Sequence, residues 1–217
     1  PLILPGGANI TAAAGDSMKV RGDGSGNARV VSYTKASGMA LAATSPALVY
    51  LGSVTASASA TVALTSLISS TYDDYIVMFD KVIPATSSQQ LCLRVSEDNG
   101  STWRSTSGDY AHATQAVQYS SYQATAISTT DTSIFLENGF AVNTSTESGI
   151  NGSLWLFALN NTAGKKAMQG SLSIGPNLKI DFPATLTRSE AVNALQFRFA
   201  SGNITSGVFR MYGIAKA

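Results

Sequence analysis

From Ala47 onward the chain is cut into apolar runs too short for helices, and residues that reverse chain direction stand between most of them. The runs are Leu48 to Val54, Ala60 to Leu64, Tyr75 to Phe79, Leu91 to Val95, Tyr110 to Val117, Ser133 to Leu136, Ser153 to Leu159, Ala167 to Ile174, Ala194 to Phe199 and Gly207 to Ile214. Asn99-Gly100, Ser107-Gly108-Asp109, Asn138-Gly139, Asn160 to Gly164, Gly175-Pro176-Asn177 and Ser201-Gly202-Asn203 supply the turns, because Gly and Asn accept positive φ and Pro presets a bend. Many short strands without intervening helical periods predict an all-β chain, an antiparallel β-sandwich of jelly-roll-like type.

The stretch from Tyr72 to Trp103 organises this pattern. It reads as two central strands, Tyr75 to Phe79 and Leu91 to Val95, joined by a polar crossing and followed by a second turn at Asn99-Gly100. Helical turns are expected only at Leu64 to Ser70 and Thr187 to Ala194, where Thr187 and Glu190 have capping-box spacing. Before the sandwich, Ser17 to Arg21 and Ala28 to Tyr33 flank the Gly-rich Gly22 to Asn27 and predict a two-stranded hairpin. Thr34 to Pro46 reads as a connector, so the division expected is 1–44 for a hairpin segment with its connector and 45–217 for the sandwich. An isolated hairpin is marginal in water, so this one needs a partner surface.

Composition narrows the function classes. With 217 residues the chain can bury a substantial core without disulfides or metal. Charged residues make up 12% and the formal net charge is +1, scattered rather than clustered, which argues against a nucleic-acid partner. Low charge beside abundant Ser, Thr, Ala and Gly suits a chain that hides surface against copies of itself. No apolar run approaches the ~20 residues of a membrane-spanning helix, and no signal-peptide pattern opens the sequence, so a soluble protein without membrane insertion is expected. The first residue, Pro1, fits either removal of an initiator Met or a fragment boundary. Cys92 is the sole cysteine and reads as a buried thiol within Leu91 to Val95.

Few residues suggest chemistry. His112 is the sole histidine, and Asp109, three positions earlier on a strand, falls on the opposite face, so a structural role is expected. Asp73-Asp74 and Glu97-Asp98 sit at strand ends, where turn chemistry is a simpler explanation than a hydrolytic carboxylate pair. Asp23 to Asn27 lacks the closing Glu of a calcium loop. Arg21-Gly22-Asp23 falls at a hairpin mouth where Gly and Asp are expected anyway, and the Asn-x-Ser/Thr triplets at Asn9, Asn99, Asn143, Asn151, Asn160 and Asn203 follow from composition. No catalytic residue, metal ligand or cofactor is assigned. The remaining handle is aromatic: Tyr119 and Tyr122 in a polar, turn-like stretch, with Trp103 beside the Asn-Gly turn, are the candidate ligand-binding residues, because sugar rings stack on aromatic faces.

The segment from Leu4 to Gly38, LPGGANITAAAGDSMKVRGDGSGNARVVSYTKASG, resembles one recurrent in bacteriophage tail-fibre and other virion proteins, with Lys35 where arginine is common and Ala28 where an aromatic is frequent. The remainder resembles a distal domain of similar phage proteins. Tyr72-Asp73-Asp74-Tyr75, Val82 to Thr86, Leu93 to Thr102, Gly108-Asp109-Tyr110 and the closing Gly202 to Ile214 carry that resemblance. It implies a non-enzymatic virion component, a homotrimer located in a tail fibre, a fibre tip or the capsid surface. Residues 1–44 would contact other virion proteins, and the sandwich would contact host-surface polysaccharide. The alternatives are a capsid decoration or head-fibre protein and, disfavoured by length and lack of repeats, a glycan depolymerase.

Overall fold

A computed structural model of the chain describes residues 2–3, 12–38, 47–118, 121–137, 140, 142–145, 147 and 149–216, with the backbone alone at 2–3 and 121–126. The chain divides into two compact units, Pro1–Pro46 and Ala47–Ala217.

In the first unit, β2 (Ser17–Gly22) and β3 (Ala28–Thr34) form the expected hairpin, with a bulge between Lys19 and Val20. A short β1 (Leu2–Ile3) pairs parallel to β3, so the sheet is three-stranded rather than a two-stranded ribbon. Two aspartates hold it. Asp23 Oδ1 accepts the Ser25 and Asn27 amides at 2.9 and 3.1 Å, which lets Gly24 and Gly26 carry the loop at positive φ. Asp16 accepts the Tyr33 hydroxyl and the Ala13 and Ala36 amides. Val30 is buried, whereas Met18, Val20 and Val31 are about half exposed.

The second unit is a β-sandwich. Its larger sheet has eight strands in the order β4 (Leu48–Ser59), β15 (Ile204–Ile214), β6 (Tyr75–Pro84), β11 (Ile150–Phe157), β12 (Lys166–Ile174), β13 (Leu178–Leu186), β8 (Tyr110–Gln118) and β9 (Ser121–Asp131). The smaller sheet runs β10 (Ile134–Phe135), β7 (Leu91–Ser96), β14 (Ala194–Phe199) and β5 (Val62–Thr65). Every pairing in both sheets is antiparallel. The organising stretch therefore spans the sandwich: β6 is interior to one sheet, β7 is interior to the other, and the polar crossing carries the chain between layers.

Period-two alternation sends one side of each strand into the core. Met168, Leu172 and Ile174 of β12 and Ile180, Phe182 and Leu186 of β13 point inward. The layers meet at Phe79, Phe197 and Phe209, whose ring centroids lie 5.1–5.6 Å apart. The edge-on contacts of Phe79 with Phe197 and Phe209 add to the stabilisation that burying these rings gives. Tyr110 of β8 reaches across to the smaller sheet, accepting the Val95 amide at 3.0 Å and donating to the Arg104 carbonyl at 3.1 Å. Burial pushes its phenol up to about 12, which keeps it a donor.

Both expected helical turns are absent. Val62–Thr65 is strand β5 paired with β14, and 187–193 is irregular. Tertiary bonds take the groups a helix at 187–194 would use. Thr187 Oγ1 donates to the Gly108 carbonyl at 2.7 Å, the Val192 amide donates to Leu159, and Lys166 donates to the Ser189 carbonyl. Two strands were absent from the sequence pattern. β13 contains Pro183 in the sheet interior, and its ladder with β8 skips Phe182 and Pro183, consistent with the missing proline donor. β9 has few large apolar residues, so the turn-like reading at 121–122 is corrected to strand. The Asn138-Gly139 turn lies outside the described residues.

Candidate functional site

The acidic residues that the sequence singles out are committed to structure. Asp74 accepts the Ala158 amide, Asp73 pairs with Lys216 at 2.9 Å, and Glu97 pairs with Arg104. Asp98 caps the Asn99-Gly100 turn, whose two residues both have positive φ. Hydrogen bonds from Ser96 and Thr102 lower its carboxyl to about 2. Asp109 is buried, which by itself would raise its pKa, but hydrogen bonds from Arg188, at 2.6 Å, and from the Thr106 amide, with the charges of Arg188 and Arg104, together hold its carboxyl below the ordinary value. None of these carboxylates lies free in a cleft.

His112 is buried on the inner face of β8 against Phe135. Its Nε2 comes within 3.4 Å of Asp131, close enough for Coulomb attraction but not aligned as a hydrogen bond, so neither ring nitrogen has a partner among the described residues. Desolvation pushes its pKa down and Asp131 only partly offsets this, so the imidazole is held neutral. Glu137 is fully buried. Its Oε1 accepts the Leu91 amide at 2.5 Å, its Oε2 has no partner among the described residues, and desolvation raises its pKa well above the usual value. Cys92 is buried as expected, its thiol pushed up to about 12 chiefly by burial and then by nearby Glu137, which makes it an inert core thiol. No group of three or more His, Cys, Asp or Glu able to hold a metal ion occurs among the described residues.

The aromatic candidates separate. Trp103 is half-buried in the loop between β7 and β8, where its ring lies over Gly100 and helps line a hollow of about 370 Å³ with Glu97, Asp98 and Thr106. Tyr119 lies outside the described residues, and only the backbone of Tyr122 is described, paired with Val117 in β9. That pairing is at the far end of β8 from Tyr110, whose hydroxyl touches the Trp103 loop at Arg104. Trp103 and position 122 thus sit at opposite ends of a nine-residue strand, about 25 Å apart along it.

The outer face of the eight-stranded sheet gathers different residues. Pairing registers place Tyr50, Tyr212, Ile76, Trp155, Gln169 and Pro183 in one transverse row, from β4 to β13. The next row is Ser53, Arg210, Met78, Ser153, Ser171, Asp181 and Gln115. Tyr50, Met78, Val117, Ile127 and Trp155 are among the most exposed large apolar residues of the protein. Trp155 is 37% exposed and lies nearly parallel to Phe157, its second neighbour on the same face, at 17° and 6.4 Å between centroids.

Two hollows open on this face, over the β11, β12, β13 and β8 half. One, of about 600 Å³, is bounded by Trp155, Gln169, Ser153, Asp181, Ile127 and Pro183. The other, of about 680 Å³, is bounded by Asn151, Ser173, Pro176, Lys179 and Val117. Ser171 lines both. They are hollow because Ala113, Ser153 and Ser171 are short where the flanking residues are long. Partial burial would raise the Asp181 carboxyl, but hydrogen bonds from Lys179, at 2.9 Å, and from Ser171 win and hold it below its ordinary value. The hollows therefore combine an aromatic plane, an apolar rim, hydroxyls, an amide and an ionised acceptor.

This site escaped the sequence reading although a signal existed. In Leu154-Trp155-Leu156 alternation puts Trp155 opposite two core leucines, yet all three are apolar and nothing local marks which side meets water. No family model, no curated protein and no solved structure matches this chain, so the outer face is read from its own chemistry.

Proposed function

We propose that this chain is a non-enzymatic structural protein of a bacteriophage virion, a tail-fibre or fibre-tip domain whose β-sandwich contacts host-surface glycan. The observation that carries the reading is the outer sheet face: open, shallow hollows joining an exposed indole to a row of hydroxyl, amide and carboxylate side chains. Such a surface recognises a ligand without bringing reactive groups to bear on one bond. The resemblance of Leu4 to Gly38 to phage virion segments supports the location. Met18, Val20 and Val31, half exposed on a small three-stranded sheet, support docking of the first unit on other virion proteins or on two further copies in a homotrimer.

Gold-labelled antibody on intact particles tests the assignment, with label on fibres or fibre tips as the expected outcome. Label over the head, with binding to emptied capsids but not to host cells, would replace it by the capsid-decoration reading. Release of reducing sugar from host polysaccharide would overturn both. Sedimentation equilibrium should return three times the 22.5 kDa chain mass.

A further inference from the structure

We infer that the two hollows on the outer face form one site for an extended, uncharged polysaccharide segment laid along the strands, with Trp155 as its stacking platform. This deepens the attachment reading and rests on it. The hollows share Ser171, and from Trp155 in one to Asn151 in the other the site runs four residues along β11, about 13 Å. That span exceeds a single sugar ring, so a terminal monosaccharide would leave one hollow empty, while a chain of several sugars fills both.

The chemistry selects the ligand class. A pyranose ring presents an apolar C–H face and a rim of hydroxyls. Trp155, held parallel to Phe157, matches the face, while Ser153, Ser171, Gln169 and Asp181 match the rim. A peptide strand would seek unpaired backbone groups, but β11, β12 and β13 are interior strands whose main-chain groups serve the ladders. Nucleic acid and acidic sugars would meet Asp181 at the centre, while Lys179, the one cation lining either hollow among the described residues, is already paired with it. A second copy of this chain in two-fold pairing would set hollow against hollow, and the charged Asp181 and Lys179 are unlike the core of a subunit interface.

The test uses the full chain carrying Trp103→Phe, which leaves Trp155 as the sole indole reporter. A printed array of bacterial O-antigens, capsules and exopolysaccharides with neutral or uronate repeats identifies a binder. Oligosaccharides of one to four repeats of that binder are then titrated by indole emission and calorimetry. The expected result is a neutral binder, a blue shift on saturation, affinity rising at least tenfold between one and three repeats, and at least tenfold loss in Trp155→Ala. Ser171→Arg, which blocks the passage between hollows from an outward position, should abolish the length dependence while retaining short-sugar binding. Undiminished polysaccharide binding by Trp155→Ala would overturn this site and leave attachment standing. No binding to any array member would overturn both. A preference for uronate repeats, equal affinity for one and three repeats, or a change in oligomer size in Trp155→Ala without loss of sugar binding would each overturn the inference.

Discussion

The two faces of the eight-stranded sheet are built from the same strands with opposite economies. On the inner face, side chains from β12, β13, β11 and β15 meet the smaller sheet, and the aromatic trio Phe79, Phe197 and Phe209 closes the gap between layers. On the outer face, Tyr50, Met78, Trp155 and Ile127 remain exposed beside a polar row. Scattered exposed apolar residues are normal, but aromatic and apolar side chains aligned along a face that also carries hollows mark a binding surface. The comparison teaches that burial on one side holds the strands in place, leaving the other side free to serve recognition.

The sharpest way to break this contrast is to truncate the inner face. Phe209→Ala removes one ring of the trio and should cost about 3–5 kcal/mol in urea unfolding. A loss below ~1 kcal/mol would mean that the layers are not held by that contact. Next comes a polar element of the interior. Lys166 is buried, and its ammonium donates to the carbonyls of Asn161, Gly164 and Ser189, tying the β11–β12 loop to 187–193. Lys166→Met strands those acceptors and should cost about 3 kcal/mol, with amide exchange rising first in 187–193.

The interior also holds a group that works against it. Glu137 has its folded pKa raised, so its contribution is fully present below its ordinary value of 4.5 and is lost as pH rises through the folded value. Glu137→Gln keeps an acceptor for the Leu91 amide and should stabilise the protein at pH 7 by about 1–3 kcal/mol, an advantage that vanishes in acid. His112 has its folded pKa lowered. Its contribution is intact above 6.5 and is lost as pH falls from there through the folded value. His112→Phe should flatten the thermal midpoint over that acid range, and an unchanged pH profile would show that this ring does not set it. The smallest effect belongs to the outer face, where Trp155→Ala, which loses the stack on Phe157, should cost about 1 kcal/mol. A loss comparable with Phe209→Ala would erase the distinction between the faces.

Much of the fold was legible because it rests on local chemistry. The runs at Tyr75, Leu91, Ala194 and Gly207 and the Asn99-Gly100 turn are recognisable one by one, as is the buried thiol of Cys92. β13 and β9 were illegible for opposite reasons: Pro183 argues against an interior strand, and Ser121 to Asp131 offers little apolar signal. The binding face was less legible still. Trp103 drew attention by sitting beside a turn, but its ring packs on its own Gly100, while Trp155 lay hidden in a run of apolar residues.

By itself, then, the sequence determined the all-β class, most strands and turns, and the strand-end and turn roles of Asp73, Asp74, Glu97 and Asp98, since periodicity and turn preference act over a few residues. Tertiary structure alone decided that 187–193 would not be helical, that Glu137 and Lys166 would be buried, and that Trp155, Gln169, Ser171 and Asp181 would meet on one surface. Those outcomes depend on tertiary contacts and cross-strand register, which brings Trp155 and Asp181, 26 positions apart, onto one surface and is fixed only when both sheets close on a common core.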